Sequence, residues 1–278
     1  MRNAIKKILP QSAINTLRLI SDKKDLSIQN NNLNFSLDNL AVISEQQIAS
    51  IWSDKKITDQ WKKDKKLLNE VFGDDDKFQG VNPGDRRALY ALISGLKPQN
   101  ILEVGTHVGS STLHIATALK TLGQGGHVTS VDILDVNAPD SSWKRIGLEK
   151  SPIEFAEELS CEELITFIAQ PCQEFMKQTD ERFDLIFLDG DHTAAAVYQE
   201  VSVALNVLND NGVIVLHDYY PEGKSLYSDN NIIYGPYLAL ERIKKENTNI
   251  SVQSLSPLPW ETKLQSNMTS LAIVTKKA

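Results

Sequence analysis

Cysteine is scarce. Cys161 and Cys172 are the only two in 278 residues, so no disulfide framework holds the chain, and its stability has to come from a buried core. Positive charge is also in short supply. With 29 Lys and Arg against 36 Asp and Glu the net charge is −7, and the pI is near 5.3. That argues against nucleic acid as a partner, because phosphate binding needs a basic stripe. Long hydrophobic runs are missing as well, so no segment reads as a membrane span. The first twenty residues never sustain seven apolar positions and are broken by Pro10, unlike a signal peptide. These absences suit a reducing cytoplasm. A hydrophobic content of 41% in a chain of this length allows one large α/β domain and an appendage.

The most informative stretch is 100–117, NILEVGTHVGSSTLHIAT. Ile101, Leu102 and Val104 form a short apolar strand around Glu103. Gly105 and Gly109 then turn it into a helix headed by Ser110, Ser111 and Thr112. A strand that turns on glycine into a helix leaves free backbone N–H groups and room for a ligand. The spacing is G-x-x-x-G, not the G-x-G-x-x-G of a dinucleotide fold. An acid at the strand tip would repel pyrophosphate but suits the amino group of S-adenosylmethionine.

Three more apolar segments end in polar residues. His127–Asp132 is a β-branched strand ending in a carboxylate 23 residues after Gly109, near the spacing at which an acid accepts from ribose hydroxyls. Phe183–His192 ends in Asp189, Asp191 and His192, and Gly212–Asp218 ends in His217 and Asp218. Strand tips of this kind mark the carboxyl edge of an open parallel sheet, where such folds bind ligands.

Strands and helices alternate from Asp85 onward, which predicts a parallel sheet with helices on both faces. Helices are expected at Asp85–Leu96, Ser111–Leu122, Pro152–Leu159 and Ala194–Leu208. The tail differs: Ile250–Leu255 and Ser270–Thr275 lack room for a crossover helix and should pair antiparallel. Before the domain, Ser44 and Gln47 form a capping box, and Thr58–Phe72 places Trp61, Leu68, Val71 and Phe72 on one helical face. Asp25–Asp38 reads as linker and Gly73–Gln79 as a hinge. Residues 1–24 carry six basic residues against one acid on a broken amphipathic pattern of Ile5, Ile8, Leu9, Ile14, Leu17 and Leu19. This pattern suits weak contact with the anionic inner face of a membrane, or, preferably, packing on the chain's own domain or on a second subunit of a homo-oligomer.

The run Val81–Leu119 resembles the opening of the catechol and caffeoyl-CoA O-methyltransferase group of class I methyltransferases. There an N-x-G-D segment, here Asn82–Asp85, leads through a helix to an E-[LIV]-G-x-x-x-G-[YS]-S loop, here from Glu103. The Leu188–His192 and Leu216–Tyr220 segments are similar to that group's fourth and fifth strand ends, and to bacterial O-methyltransferases acting on glycans and natural-product sugars. The resemblance covers 81–278 and leaves 1–80 as a helical extension and linker. It implies a Rossmann-like, doubly wound, mostly parallel seven-stranded sheet with an antiparallel last strand. It further implies methyl transfer from S-adenosylmethionine to a hydroxyl of a small molecule or glycan, sugar or phenolic.

Residue by residue, the resemblance puts Val81 and Pro83 at the methionine end of the cofactor. Glu103, Gly105 and Gly109 would lie under its amino and carboxyl groups, with Ser111 bonding the carboxylate. Asp132 would take the ribose, Ile133 the adenine face, and Cys172 and Gln173 the adenine edge. His192, three residues beyond Asp189, stands where the family keeps its catalytic lysine and would act as general base beside Asp189. A free imidazole titrates near neutrality, which suits that task; helix capping is the plainer alternative. The family's magnesium ligands map to Asp189 and Asp218. Tyr219 replaces the third, an asparagine, leaving Asp191 to complete a Mg2+ set. His217 would orient a carboxylate or the acceptor. The loop Tyr219–Ile232 is placed to cover the acceptor, and Tyr219, Tyr220, Tyr227 and Tyr234 would either stack on a sugar or phenolic ring or be ordinary loop tyrosines. The rival readings are a nicotinamide-dependent oxidoreductase of similar architecture, and a non-catalytic nucleoside-binding module.

Overall fold

A computed structural model describes residues 9–30, 35–73 and 80–278 of the chain. Local signals set most element ends. After α1 (Gln11–Ser27), Ser44 and Gln47 close the expected capping box ahead of α2 (Glu45–Ser53). Asp54 accepts from two backbone N–H groups to start α3 (Lys55–Val71), and Asn82 accepts from Asp85 N–H to start α4 (Pro83–Leu96), with Pro83 in its first turn. Beyond β1 (Asn100–Val104), α5 (Ser110–Leu122) opens at Gly109 and closes at Gly123, both left-handed.

The chain continues through β2 (His127–Asp132), α6 (Ser142–Arg145), α7 (Pro152–Glu158), β3 (Ile165–Ala169) and α8 (Cys172–Gln178). It ends with β4 (Phe183–Leu188), α9 (Ala194–Ala204), β5 (Leu208–Leu216), α10 (Gly235–Glu246), β6 (Ile250–Ser254) and β7 (Ala272–Lys276). These strands form one sheet in the order β3-β2-β1-β4-β5-β7-β6. All neighbours pair parallel except β7, which is antiparallel to both β5 and β6. The expected doubly wound sheet with a reversed last strand is therefore present. Register aligns the strand ends: Val104 lies opposite Val131 and Leu188, and Leu188 opposite Leu216. Gly105, Asp189 and His217 thus leave the sheet side by side. Strand order reverses between β1 and β4, which makes this edge the switch point.

Apolar residues fill both sides of the sheet. One core joins Ile48, Trp61 and Leu68 of the preceding helices to α4 and α5 residues such as Leu89 and Leu113. The other joins Leu26 and Leu40 to Val197, Val201 and Leu240 of α9 and α10.

Three expectations need correction. The helix over Ala194–Leu208 stops at Ala204, and Leu208 already pairs with Phe183. The register then jumps to Leu185–Val213 across a bulge at residues 209–212, where Gly212 pairs instead with the extension: its N–H donates to Asn39 O and its carbonyl accepts from Ala41 N–H. The linker does not begin at Asp25. The helix runs on to Ser27, where the Arg242 guanidinium satisfies the carbonyls of Leu26 and Gln29. Within α1, Leu17 is 57% exposed, and polar residues such as Asn15 and Asp22 face the domain instead. Residues 1–8 of the basic segment and 74–79 of the hinge lie outside the described residues. Among the described residues, no helix is long and apolar enough to cross a membrane.

Candidate functional site

Four strand tips build the site. After β1 the chain turns at Gly105, whose φ is +94° and whose Cβ, if present, would collide with the Asp189 carbonyl. Only glycine lets the two tips approach this closely. Beneath the turn Glu103 is fully buried and accepts hydrogen bonds from the hydroxyls of Ser111, Thr112 and Ser130. Burial pushes its carboxyl up to about 7, against the lowering effect of those hydroxyls. The group therefore braces the loop from below.

At the tip of β2, Asp132 accepts from His107 N–H at 3.0 Å and from Leu134 N–H at 3.1 Å. A carboxylate offers about four acceptor sites, so each oxygen keeps capacity for a further donor. Ile133 beside it is 72% exposed.

The β4 and β5 tips hold the charged cluster. Asp189, His192 and Asp218 each offer a ligand atom, and all three atoms lie within 4.8 Å of one another. His192 Nε2 is 3.5 Å from Asp218 Oδ2. Asp218 and His107, on opposite sides of the edge, both adopt left-handed backbone, a conformation found at functional turns. Behind the cluster His217 spans Asp189, at 3.0 Å from Nδ1, and Asp85, at 3.1 Å from Nε2. Burial opposes the charged form of His217. The carboxylates of Asp189, Asp218 and Asp85 outweigh it and hold the imidazole well above its ordinary pKa. Asp85 is itself fully buried, accepting from the Asn82 amide at 2.7 Å and the Thr269 hydroxyl at 2.5 Å. A fixed imidazolium thus orients Asp189 and offsets the negative charge of the acids around it.

Residues 102–219 match a family model described as a methyltransferase domain. The fold is that of class I S-adenosylmethionine-dependent methyltransferases. The O-methyltransferase TomG of Streptomyces achromogenes, involved in tomaymycin synthesis and solved with S-adenosylmethionine, is 13% identical with a TM-score of 0.50; the alignment covers 98% of this chain and 100% of that one. An O-methyltransferase of Bacillus cereus, in complex with S-adenosylhomocysteine, is 18% identical with a TM-score of 0.51, covering 84% and 96%. The methyltransferase PaMTH1 of Podospora anserina, bound to S-adenosylhomocysteine, is 17% identical with a TM-score of 0.50, covering 98% and 99%. At such identities the likeness establishes fold alone. No curated protein matches the sequence.

Within this methyltransferase fold Gly105, Gly109, Asp132, Ile133, Asp189, His192 and Asp218 gather at the carboxyl edge, as the sequence led us to expect. Cys172 and Gln173 start α8 beyond β3, close to Asp132, whose carbonyl accepts from Gln170 N–H at 2.8 Å. The Cys172 thiol lies 3.4 Å from Glu200, and burial, with that carboxylate beside it, pushes it up to about 12.

Other assignments change. The Ser111 hydroxyl spends its one proton on Glu103, and Glu103 is shut away from any ligand. Backbone N–H groups at the start of α5, not these side chains, are what remains for a carboxylate. Val81 is 4% exposed and packs in the core, so its side chain is not presented to the methionine end, while Pro83 is half-buried. Asp191 points away from the metal-capable trio: it is exposed and caps the following turn through Thr193 N–H at 2.8 Å. His192 takes its place. Tyr219, Tyr220 and Tyr227 are buried and brace the loop, so of the four tyrosines only Tyr234 remains half-open.

Asp85 and Thr269 escaped the sequence reading. The N-x-G-D segment was the available signal for Asp85, since the family resemblance already singled it out. Thr269 carried none.

Proposed function

We propose that the chain transfers a methyl group from S-adenosylmethionine to a hydroxyl oxygen of a small-molecule acceptor, a sugar or a phenol. The observation that carries this reading is the convergence of Asp189, His192 and Asp218 on one edge with the glycine turn and Asp132.

Asp132 and Ile133 hold the ribose and adenine, and Gly105 and Gly109 let the methionine end approach the backbone. The acceptor hydroxyl sits against His192. As the oxygen lone pair attacks the methyl carbon, the carbon–sulfur bond breaks and its electrons stay on sulfur, giving neutral S-adenosylhomocysteine. The hydroxyl proton passes to His192 Nε2, where Asp218 stabilises the resulting cation, and then to solvent. Holding the reactants in line supplies much of the rate, and proton removal adds about 10²–10⁴-fold.

Asp189, His192 and Asp218 also fit a divalent cation: two carboxylate oxygens suit magnesium, and the added imidazole favours manganese or a softer ion. When bound, such an ion supplies positive charge that acidifies a hydroxyl. Nε2 of His192 cannot both bind an ion and take the proton, so the two roles are alternatives.

Calorimetry with S-adenosylhomocysteine and with NAD tests the cofactor: binding of the first and not the second is expected. Methyl transfer from labelled cofactor to a panel of glycosides and phenols then tests the acceptor. Selective binding of NAD would refute the reading.

A further inference from the structure

Helix α9 follows directly on the loop that carries His192, yet its own N-cap residue, Thr193, makes no side-chain cap bond. The cap comes from elsewhere. Asp22 in α1 accepts from Ala194 N–H at 3.1 Å, across 172 residues of sequence. Asp22 is 8% exposed, so this bond is made out of water, where an acceptor on an orphan helix N–H is worth most.

The same helix grips the acceptor-side loop. Asn15 donates to Asn230 O at 2.8 Å, Arg18 to Asn231 Oδ1 at 2.7 Å, and Gln11 to that oxygen at 3.1 Å. The His192 backbone is also closely approached by a second element. Gly235, at the start of α10, approaches so closely that a Cβ there would collide with the His192 carbonyl oxygen. Between His192 and Ala194, then, the backbone receives one hydrogen bond from α1 and a close approach from the start of α10.

We infer that Asp22 is a positioning residue for His192: through the Ala194 cap it sets where the imidazole stands relative to Asp218 and Asp189. The N-terminal helix is on this account part of the acceptor side of the site, and not an appendage to it. The catalytic consequence rests on the methyl-transfer reading above, whereas the geometry does not.

The test uses the full-length protein as Asp22→Ala and Asp22→Asn. The asparagine amide oxygen can still accept from Ala194 N–H, but alanine cannot. NMR reads amide exchange at Ala194 and the His192 ring resonances, assigned with a His192→Gln variant. Calorimetry reads binding of S-adenosylhomocysteine.

In Asp22→Ala, exchange at Ala194 should quicken by about 2- to 30-fold, the range expected for losing a helix cap, and the His192 ring signals should move. Asp22→Asn should restore both, and cofactor affinity should be unchanged in either variant. His192 signals that stay in place while Ala194 loses protection would make Asp22 a helix cap and nothing more, which overturns the inference. Equal behaviour of the alanine and asparagine variants would overturn it too. Failure of wild-type protein to bind S-adenosylhomocysteine would remove the methyl-transfer reading and leave the Asp22 result standing.

Discussion

Replacing Asp132 by alanine should weaken binding of S-adenosylhomocysteine by about tenfold to 150-fold. The magnitude follows from acceptor capacity. Two of the roughly four lone-pair sites on this carboxylate are taken by His107 and Leu134 N–H, leaving room for a ribose hydroxyl to donate, and one such bond is counted. One hydrogen bond to a charged group is worth about 1.5–3 kcal/mol, and each 1.4 kcal/mol is a factor of about ten in affinity. The same substitution frees His107, which holds left-handed backbone at φ +50°, so part of the loss would come from a loosened loop. Asp132→Asn separates the two contributions. It keeps one oxygen to brace the loop but loses the charge, and should fall between wild type and alanine. Titration calorimetry on each folded variant gives the affinities directly. Wild-type affinity in Asp132→Ala would take this residue out of the ribose site and undo the assignment of the adjacent Ile133.

Further outcomes follow from the same geometry. Burial holds the Glu103 carboxyl near 7 instead of its ordinary 4.5, so the folded chain keeps a proton that the unfolded chain gives up. That contribution is complete below about 4.5 and is lost as pH rises through about 7, a decline of about 3 kcal/mol. Urea unfolding from pH 4.5 to 8 should show a flatter profile for Glu103→Gln, with the remaining slope owed in part to Glu200, which burial also raises to about 7. An unaltered profile would contradict the burial argument. Replacing His192 by alanine should lower kcat by about 10²–10⁴-fold with cofactor affinity nearly intact, read by methyl transfer and calorimetry side by side. Wild-type turnover would make the residue structural. If Asp189, His192 and Asp218 hold an ion, EDTA should abolish activity, magnesium or manganese should restore it, and Asp218→Asn should weaken manganese binding measured by electron paramagnetic resonance. Full activity in chelator would assign proton removal to His192 alone.

Sequence by itself determined whatever depends on neighbours along the chain. Alternating apolar segments, the Gly105–Gly109 spacing, the capping box at Ser44 and the acids near the ends of four strands are all local, and together they specified the sheet, its reversed last strand and the edge that carries the site. What they could not specify was which way side chains point once helices pack. Asp191 and His192 are adjacent, and only the tertiary structure turns one outward as a loop cap and the other toward Asp218. Nor could spacing reveal that Ser111 faces down to Glu103 and not up to a ligand. The contacts that fix the cluster join residues far apart: His217 to Asp85 across 132 positions, Thr269 to Asp85 across 184, and Asp22 to Ala194 across 172. Periodicity carries no trace of such pairs. They exist because burying a charged or polar group is tolerable only where the fold brings it a partner, and that partner is chosen by packing.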